Sequence, residues 1–456
     1  MSGNFREFME PGKRGYLIGI GGVSMSPLAE VLSGMGLDIS GSDIQEGENV
    51  KHLKSIGFKV NIGHYAENIK GDIDFIVRTA AVRDDNVEII AARAAGIPVF
   101  ERTETWGAIM RDYKNAVCVA GTHGKTTTTS MVTHIFMAAG RDPTVMIGGT
   151  LPLLSSSHRV GEGDTIILES CEYYNSFHSF IPTVAVILNI EADHLDFFKD
   201  LDAIKDSFRQ FAANTVEDGI IVANAGDENT MSALRPLERE LFTFSLDGGA
   251  DVYASNLVQL GAATEFDILL RGELLTRVRL RVPGLHNVKN ALAASAAALC
   301  LKIPADAIKA GLESFTGAER RFEYKGSLNG ADIYDDYAHH PGELNAVFNA
   351  VEPLGYKRVI AVFQPHTYSR TKALFDGFVE QLKRPDITFL AEIYAARESN
   401  TEGISSADLA ERIPGSEWFP DFGALEDKLR RLASPGDIIL TIGAGDVYKV
   451  GEAIVE

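Results

Sequence analysis

The chain has 456 residues, and its 43 basic and 63 acidic side chains give a formal charge of −20. This length favours about three domains of about 150 residues each, and a composition of 45% hydrophobic and 23% charged residues is that of a globular protein rather than a disordered or fibrous one. The acidic excess argues against a protein that coats nucleic acid or lies on an anionic membrane, because both functions need a basic face.

The cysteines Cys118, Cys171 and Cys300 are widely separated and form no CxxC pair. Neither a disulfide framework nor a zinc knuckle is therefore expected. The amino-terminal segment lacks the apolar core of a signal peptide, and no apolar run approaches the roughly 18 residues of a membrane span. These features predict a cytoplasmic protein without membrane insertion.

Short β-branched runs alternate with helix-length amphipathic segments through residues 15–110. That rhythm predicts βαβ units around a parallel sheet. The turn GIGGVSMS, residues 19–26, follows the first strand, and Ser42-Asp43 ends the second, at about the distance that a dinucleotide-binding fingerprint expects. Ser24 stands where that fingerprint has its third glycine. The turn favours an anionic, nucleotide-like ligand, although a tight strand-to-helix turn without a ligand would explain the same pattern.

A second α/β series opens at Ala116, with a helix from about Lys125 to Ala139. Residues 264–282 interrupt it, because apolar and polar side chains alternate there around Arg271-Gly272-Glu273, which predicts an antiparallel hairpin. The Ala-rich segment 286–301 returns to helix.

The strongest chemical signal is a glycine-rich segment between the first strand of this series and its helix, Gly121-Thr122-His123-Gly124-Lys125-Thr126-Thr127. In a phosphate loop, backbone N–H groups face the phosphates, the lysine neutralises their charge and the next hydroxyl holds Mg²⁺. Lys125 and Thr126 fit those roles. The match is partial, since the full pattern has glycine where this chain has Val119, and a glycine-rich helix cap is the alternative.

Two further candidates follow predicted parallel strands: Glu169, at the end of TIILE, and His194, after VAVIL. Ligands of open α/β sheets bind beyond the carboxyl ends of the strands. Glu169 could hold one metal with Thr126, and His194 could hold a second. A histidine in a loop is more often a solvated or capping residue, so its assignment depends on the neighbouring phosphate loop.

A third α/β series begins near Ala318, with a helix after Pro341 and others from about Thr371 and around 421–433. Its polar segments at strand ends suit recognition of a small zwitterion, because an arginine can bind a carboxylate bidentately. Those segments are Arg320-Arg321, Asp335 to Pro341 and Gln364 to Arg370. We predict domains at 1–107, 108–317 and 318–456. The fold class is α/β, with Rossmann-like outer domains and a central P-loop domain whose mainly parallel sheet carries a small antiparallel hairpin region.

Seven segments in order resemble the Mur ligases of peptidoglycan synthesis: GIGGVSMS, GTHGKTTTT, NIEADHLD, HNVKNALAA, AERRFEY, DDYAHHP and QPHTYSRT. The resemblance runs from about residue 16 to residue 446. It implies an enzyme that uses ATP and Mg²⁺ to join L-alanine to the carboxylate of UDP-N-acetylmuramate through an acyl phosphate. It also implies that the UDP-sugar binds the first domain, ATP the second and the amino acid the third.

The same resemblance implies residue roles. Gly121 to Thr127 would cradle ATP, with Lys125 between its β- and γ-phosphates, while Thr126 and Glu169 would hold one Mg²⁺ and His194 the second. Around the nucleotide we expect Asn290 at the adenine and Arg321 and Asp336 closing over it. On the UDP-sugar side we expect Gly21, Gly22, Ser24, Ser26, Ser42, Asp43 and Thr79-Ala80. In the alanine pocket we expect Tyr337, His339, His340, His366 and Arg370.

The sequence departs from the family pattern at three positions. Many relatives have E-A-D-E-S-D where this chain has Glu169 to Tyr174, so Cys171 and Tyr174 replace two carboxylates. Some relatives have arginine in place of Thr367. Three other functions stay open at this point: a recycling ligase that adds a whole peptide to the same UDP-sugar, a dinucleotide-binding oxidoreductase module, and a non-catalytic nucleotide-binding subunit.

Overall fold

The computed structural model describes residues 4–79, 81–195, 197–396 and 398–455. Within these residues the strands form three sheets of five, ten and six strands, which follow one another along the chain. The predicted α/β class is confirmed. Within the same ranges no helix combines the length and apolar character that crossing a membrane requires, and all three cysteines are free.

The first sheet is parallel throughout, in the order β3-β2-β1-β4-β5. Its strands are β1 (Arg14–Ile18), β2 (Asp38–Asp43), β3 (Lys59–Ile62), β4 (Phe75–Arg78) and β5 (Val99–Glu101), and its helices are α1 (Met25–Gly34), α2 (Glu48–Ser55), α3 (Val87–Ala94) and α4 (Arg102–Ile109). This is the Rossmann strand order 3-2-1-4-5-6 without the sixth strand. Since all strands point the same way, the turn after β1 and the ends of β2 and β4 meet at one edge.

The second sheet has the order β15-β14-β13-β12-β11-β10-β6-β9-β7-β8. Its strands are β6 (Asn115–Ala120), β7 (Thr144–Leu151), β8 (Ser156–Arg159), β9 (Thr165–Glu169), β10 (Val184–Ile187), β11 (Ile220–Asn224), β12 (Leu241–Ser245), β13 (Val252–Leu260), β14 (Ala263–Leu270) and β15 (Glu273–Leu280). Its helices are α5 (Lys125–Ala138), α6 (Leu201–Ala213), α7 (Glu228–Leu234), α8 (Leu285–Cys300) and α9 (Ala305–Ser314). The predicted hairpin is confirmed as the antiparallel pair β14–β15.

Helix α5 is almost completely buried, although it is rich in threonine and serine. Three of its hydroxyls, on Thr129, Ser130 and Thr133, donate to the backbone carbonyl four residues earlier, each at 2.8 Å. Such bonds satisfy buried hydroxyls within the helix. A polar helix can therefore lie at the centre of the domain and present its amino end at the sheet edge.

The third sheet has the order β16-β17-β21-β18-β19-β20 and is parallel except for β16. Its strands are β16 (Glu323–Leu328), β17 (Ala331–Asp336), β18 (Arg358–Phe363), β19 (Ile387–Ala391), β20 (Glu417–Phe419) and β21 (Asp437–Ile442). Its helices are α10 (Pro341–Val351), α11 (Tyr368–Ala373), α12 (Phe375–Leu382), α13 (Ser406–Arg412), α14 (Phe422–Leu432) and α15 (Tyr448–Ile454). The helix expected from about Thr371 begins three residues earlier, at Tyr368, and is divided in two.

The hydrophobic core extends without a break from the first sheet to one face of the second. Trp106 and Met110, at α4 and just after it, belong to the same buried cluster as Phe177 and Phe180 of the second unit. The other face of the second sheet and the two faces of the third have separate clusters. The domain boundaries at residues 107 and 317 stay predictions.

Candidate functional site

The glycine-rich turn after β6 is a tight fit between the end of β10 and helix α8. Gly124 caps α5 with φ +84, and a Cβ there would lie 2.6 Å from Asn290 Oδ1, while a Cβ on Gly121 would lie 2.8 Å from Leu188 Cβ. Both positions therefore require glycine. No side chain caps the amino end of α5. Its first N–H groups and the helix dipole are thus available to an anion, as a phosphate site requires.

The ammonium of Lys125 lies against the same turn. It donates to the carbonyl of Thr122 at 3.0 Å and to that of Gly121, and it contacts both oxygens of Glu172 at 3.3 and 3.1 Å. Burial alone would lower the pKa of Lys125, but the Glu172 carboxylate, with smaller contributions from Cys171 and Glu169, holds it above its ordinary value. The lysine is a permanent cation at the phosphate loop.

Thr126 and Glu169, predicted to share a metal, are in direct contact. The Thr126 hydroxyl donates to Glu169 Oε1 at 3.0 Å, and the backbone N–H of Gly148 donates to Oε2 at 2.6 Å. Glu169 is the last residue of β9, and β9 is the neighbour of β6. A hydroxyl and a carboxylate are oxygen ligands of the kind that Mg²⁺ prefers.

His194 lies beyond β10 in a left-handed backbone conformation with φ +53. Its ring stacks on Tyr173 with 4.2 Å between centroids, and its Nε2 is 4.0 Å from Glu172 Oε1. Burial lowers the pKa of His194, against the opposing effect of Asp193 and Glu172. A neutral imidazole is the form that binds metals. The Glu172 carboxylate lies between Lys125 and His194, beside the two positions where Cys171 and Tyr174 replace carboxylates of the family pattern.

A residue without a predicted role is Asn189, just after β10. Its side-chain oxygen accepts from the backbone N–H of His123 at 2.8 Å, and its side-chain nitrogen donates to the carbonyl of His123 at 3.0 Å. One amide thus fixes both backbone groups of a loop residue. The sequence signal for Asn189 was its position at the end of a predicted strand beside the phosphate loop.

His123 connects the phosphate loop to the third unit. Its Nε2 lies 3.4 Å from Glu191 Oε2, and its Nδ1 lies 3.3 Å from Glu343 Oε1 on α10. Burial would lower the pKa of His123, but the two glutamates raise it to about 10. Ligand atoms of His123, Glu191 and His340 lie within 4.8 Å of one another, yet a protonated His123 suits an ion pair rather than a metal.

The three residues expected around the nucleotide are Asn290, Arg321 and Asp336. They lie near the contact between His123 and Glu343 but have different partners. Asn290 reaches the turn at Gly124, and the Arg321 guanidinium lies 4.0 Å from Glu343 Oε1 and 5.3 Å from the ring centroid of Tyr337. Asp336 accepts backbone N–H bonds from Phe322 and Ala338, each at 2.8 Å. Burial raises the pKa of Asp336 to about 6. Both of its oxygens are engaged within their own unit.

A cavity of about 340 Å³ lies between the loop after β10 and the loop after β18. Of the residues expected in the alanine pocket, His366 and Arg370 line it, and Asp193 faces them with Oδ1 at 3.5 Å from Arg370 Nη2. The pKa of Asp193 falls to about 2, because His194 and Arg370 outweigh the effect of burial. The rest of the lining is Tyr173, Ala192, His194, Leu195, Thr367, Ser369, Ala373, Leu374 and Glu398. Asp193 had no role in the sequence analysis.

The other three expected pocket residues lie outside this lining. His339 donates its backbone N–H to Glu343 at 2.9 Å, and its ring centroid is 6.0 Å from that of His366. His340 caps α10, with Nδ1 accepting from the N–H of Gly342 at 3.2 Å. The Tyr337 ring lies beneath Arg320, 4.9 Å from its guanidinium carbon. These residues shape the segment between β17 and α10.

In the first unit a hydrogen bond joins the glycine turn to the end of β2. Asp43 Oδ2 accepts from the Gly21 N–H at 2.9 Å, and a Cβ on Gly21 would lie 2.6 Å from Val50 Cγ2. The fully buried Ser42 hydroxyl donates to Glu88 Oε2 at 2.7 Å. The remaining candidates are Gly22 and Ser24 in the turn, Ser26 buried in the first turn of α1, and Thr79 after β4; Ala80 lies outside the described residues.

Three family models match successive parts of the chain. They are "Mur ligase family, catalytic domain" over residues 15–114, "Mur ligase middle domain" over 119–298 and "Mur ligase, glutamate ligase domain" over 320–445.

Curated relatives match over nearly the whole length. The UDP-N-acetylmuramate–L-alanine ligase of Lachnospira eligens is 46% identical, with 97% of each chain covered. The ligases of the same name from Agathobacter rectalis and Clostridium novyi are 45% and 44% identical, covering 97% and 100% of each chain respectively.

Among solved structures, UDP-N-acetylmuramate-alanine ligase from Thermotoga maritima superposes with a TM-score of 0.81 at 28% identity, covering 97% of this chain and 98% of that one. A murein peptide ligase from Psychrobacter arcticus gives a TM-score of 0.72 at 22% identity, covering 97% and 98%. At this identity, the similarity to the murein peptide ligase shows a shared fold alone.

Proposed function

The chain belongs to the Mur ligase family, and we propose that it joins L-alanine to the carboxylate of UDP-N-acetylmuramate in peptidoglycan precursor synthesis. ATP is converted to ADP and phosphate. Relatives that carry this activity in their names are 44–46% identical over at least 97% of the chain. The proposed location is the cytoplasm, because the reaction consumes ATP.

The reaction has two steps. A carboxylate oxygen of the UDP-sugar attacks the γ-phosphorus of ATP, the bond to the β-phosphate oxygen breaks, and an acyl phosphate and ADP form. The amine of L-alanine then attacks the acyl carbon, loses a proton and expels phosphate, which leaves the amide. Both steps need positioning and neutralisation of charge more than a protein nucleophile.

The residues at the second sheet edge can supply that neutralisation. Lys125 would bind the β- and γ-phosphates, which would take the place of Glu172 and the loop carbonyls around its ammonium. The Thr126 hydroxyl and the Glu169 carboxylate, 3.0 Å apart, suit one Mg²⁺, and the neutral His194 suits a second. Bound Mg²⁺ would neutralise charge on the transferred phosphoryl group.

The proposed binding site for the amino acid is the cavity between the second and third units. Its described lining contains the cation Arg370 and the carboxylates of Asp193 and Glu398. Glu398 accepts hydrogen bonds from Ser369, whereas Asp193 faces Arg370, and these two side chains are at most 14% exposed. A zwitterion requires this combination, with its carboxylate at the arginine and its ammonium at the aspartate. His194 lines the same cavity, so an amine bound there lies beside the phosphoryl-transfer residues.

The alternatives from the sequence are less well supported. A recycling ligase would bind a peptide, but the relatives with high identity over the full chain are L-alanine ligases. An oxidoreductase module would not account for Lys125, Thr126 and Glu169 assembled at a phosphate loop. A non-catalytic subunit would not need both a phosphate loop and a zwitterion cavity.

Phosphate release tests the proposal. Purified protein with ATP and Mg²⁺ should release phosphate only when UDP-N-acetylmuramate and an amino acid are both present, and L-alanine should be used better than glycine or L-serine. Equal or faster release with a tripeptide would identify the recycling ligase instead. Phosphate release without any UDP-sugar would contradict the proposed reaction.

A further inference from the structure

The diphosphate of a nucleotide sugar needs a cation that the predicted UDP-sugar residues do not provide. Those residues are glycine, serine, threonine and aspartate, and none of them is basic. In a protein with a net charge of −20, a bound diphosphate needs a specifically placed positive group. The first unit therefore has to supply one from outside the glycine turn.

Arg102, the first residue of α4, lies at that turn. Its Nη1 donates a hydrogen bond to the hydroxyl of Ser24, 78 residues away in the chain. Ser24 ends the glycine turn and is the N-cap of α1, and its side chain makes no hydrogen bond to the helix. The guanidinium thus lies beside the open amino end of α1, where a phosphate is favoured.

Among the described residues, no acidic side chain neutralises the charge of Arg102. Arg320 and Arg370, also partly buried, are paired with Asp335 at 2.8 Å and Asp193 at 3.5 Å, but Arg102 has no such ion pair among the described residues. Its Nε is buried and lacks a hydrogen-bond partner there. Holding a charged donor away from water without a partner is costly. The missing partner is therefore expected to be an anion from outside the chain.

Two further contacts hold α4 in this position. A capping box fixes its start, with the Glu101 side chain accepting from the Thr103 N–H and Glu104 accepting from the Glu101 N–H at 2.7 Å. The buried Trp106 donates its indole N–H to the Ser24 carbonyl at 3.4 Å. Glu101 Oε1 is buried without a partner as well. A ligand with anionic oxygens and hydroxyl groups would satisfy both unpartnered atoms.

We propose that Arg102 binds the diphosphate of the nucleotide sugar at the turn formed by residues 19–24. This inference rests on the proposed function and adds to it the group that recognises the anionic part of the substrate. Helix α4 leads through Met110–Asp112 into β6, which ends at the phosphate loop. The segment that holds the diphosphate is therefore continuous with the segment that binds ATP.

Calorimetric titration with UDP, UMP and uridine tests this role, with excess ADP present to occupy the phosphate loop. Arg102→Met should weaken UDP binding at least about 10-fold, the effect of losing a charge-assisted hydrogen bond, and should leave uridine binding unchanged. Arg102→Lys should bind UDP more weakly than the unchanged protein and more tightly than Arg102→Met. The matched control is Arg93→Met, since Arg93 lies on α3 of the same unit and its side chain is 54% exposed.

The outcomes separate the two proposals. If the unchanged protein does not bind UDP, the proposed function itself fails. If it binds UDP and Arg102→Met binds UDP equally well, only the role of Arg102 is overturned. Equal losses for uridine and UDP would also overturn it, because they would indicate a distorted turn. Arg102→Lys keeps the charge and the contact with Ser24, so it tests the role even if Arg102→Met fails to fold.

Discussion

At the scale of single residues, Glu172 connects groups that the sequence presented as separate candidates. Its oxygens lie 3.1 Å from Lys125 Nζ and 4.0 Å from His194 Nε2. The spacing of the phosphate loop predicted Lys125 and Thr126, because strand, turn and helix follow each other directly. Glu172 follows β9 in an irregular segment where Tyr174 and Asn175 have positive φ. Periodicity carries no information about such a path, so the contact could not be predicted.

The absence of a side chain on Gly148 leaves room for the Glu169 carboxylate. A Cβ on Gly148 would lie 2.6 Å from Glu169 Oε1, and Gly148 also donates its N–H to that carboxylate. We expect Gly148→Ala to displace Glu169 from Thr126 and to raise the Mg²⁺ concentration needed for half-maximal activity about 10- to 100-fold. Steady-state rates over a Mg²⁺ series measure this effect.

The neighbouring glycine supplies the control. A Cβ on Gly149 would meet only Thr126 Cγ2 at 3.6 Å, which is an ordinary contact. Gly149→Ala should therefore need Mg²⁺ at the concentration that the unchanged protein needs. An unchanged Mg²⁺ requirement in Gly148→Ala would remove the assignment of Glu169 as a ligand.

At the scale of elements, the phosphate loop and α10 are joined by a titratable contact. The folded pKa of His123 is about 10, above its ordinary value of about 6.5. A raised pKa means that the contact contributes its full stability below about pH 6.5 and loses it as the pH rises through about 10. The link between the second and third units is thus expected to weaken in alkaline solution.

Glu343→Gln removes one of the two charges on His123 but retains an oxygen at the same place. We expect it to cost about 1.5–3 kcal/mol near pH 7, or roughly 2–4 °C in Tm for each kcal/mol, and to cost much less above about pH 10. Thermal unfolding from pH 6.5 to 10.5 measures the difference. Glu352→Gln is the control, since its side chain is 80% exposed and surface ion pairs contribute little. A cost independent of pH would refute an origin in the ion pair between Glu343 and His123, because the Arg321 guanidinium near Glu343 stays charged over this pH range.

Secondary structure was predictable where periodicity and turn chemistry agreed. The hairpin at Arg271 to Glu273, the start of α5 at Lys125 and the start of α10 at Pro341 follow from the sequence. The helix expected from about Thr371 begins at Tyr368 because Thr367, with φ +66, bends the chain immediately before it. Contacts between units, such as that of His123 with Glu343, join distant segments and have no local signal.

At the scale of the whole molecule, the proposed ligand-binding groups are few and specifically placed in a protein of net charge −20. Each unit places its candidate segment directly after a parallel strand. These segments are the glycine turn of the first unit, the phosphate loop of the second, and the segment after β18 that carries Arg370 in the third. The first two units share one buried cluster, and the third meets the second at His123 and Asp193. The three proposed ligand-binding regions are thus brought together within one chain.

In the proposed reaction the UDP-sugar carboxylate is activated as an acyl phosphate. UDP-N-acetylmuramate labelled with ¹⁸O in that carboxylate tests it most directly, with mass spectrometry of the phosphate released during ligation to L-alanine. We expect one ¹⁸O atom in each phosphate formed, because the oxygen that attacks the γ-phosphorus leaves with it. Amide product accompanied by unlabelled phosphate would exclude an acyl phosphate intermediate.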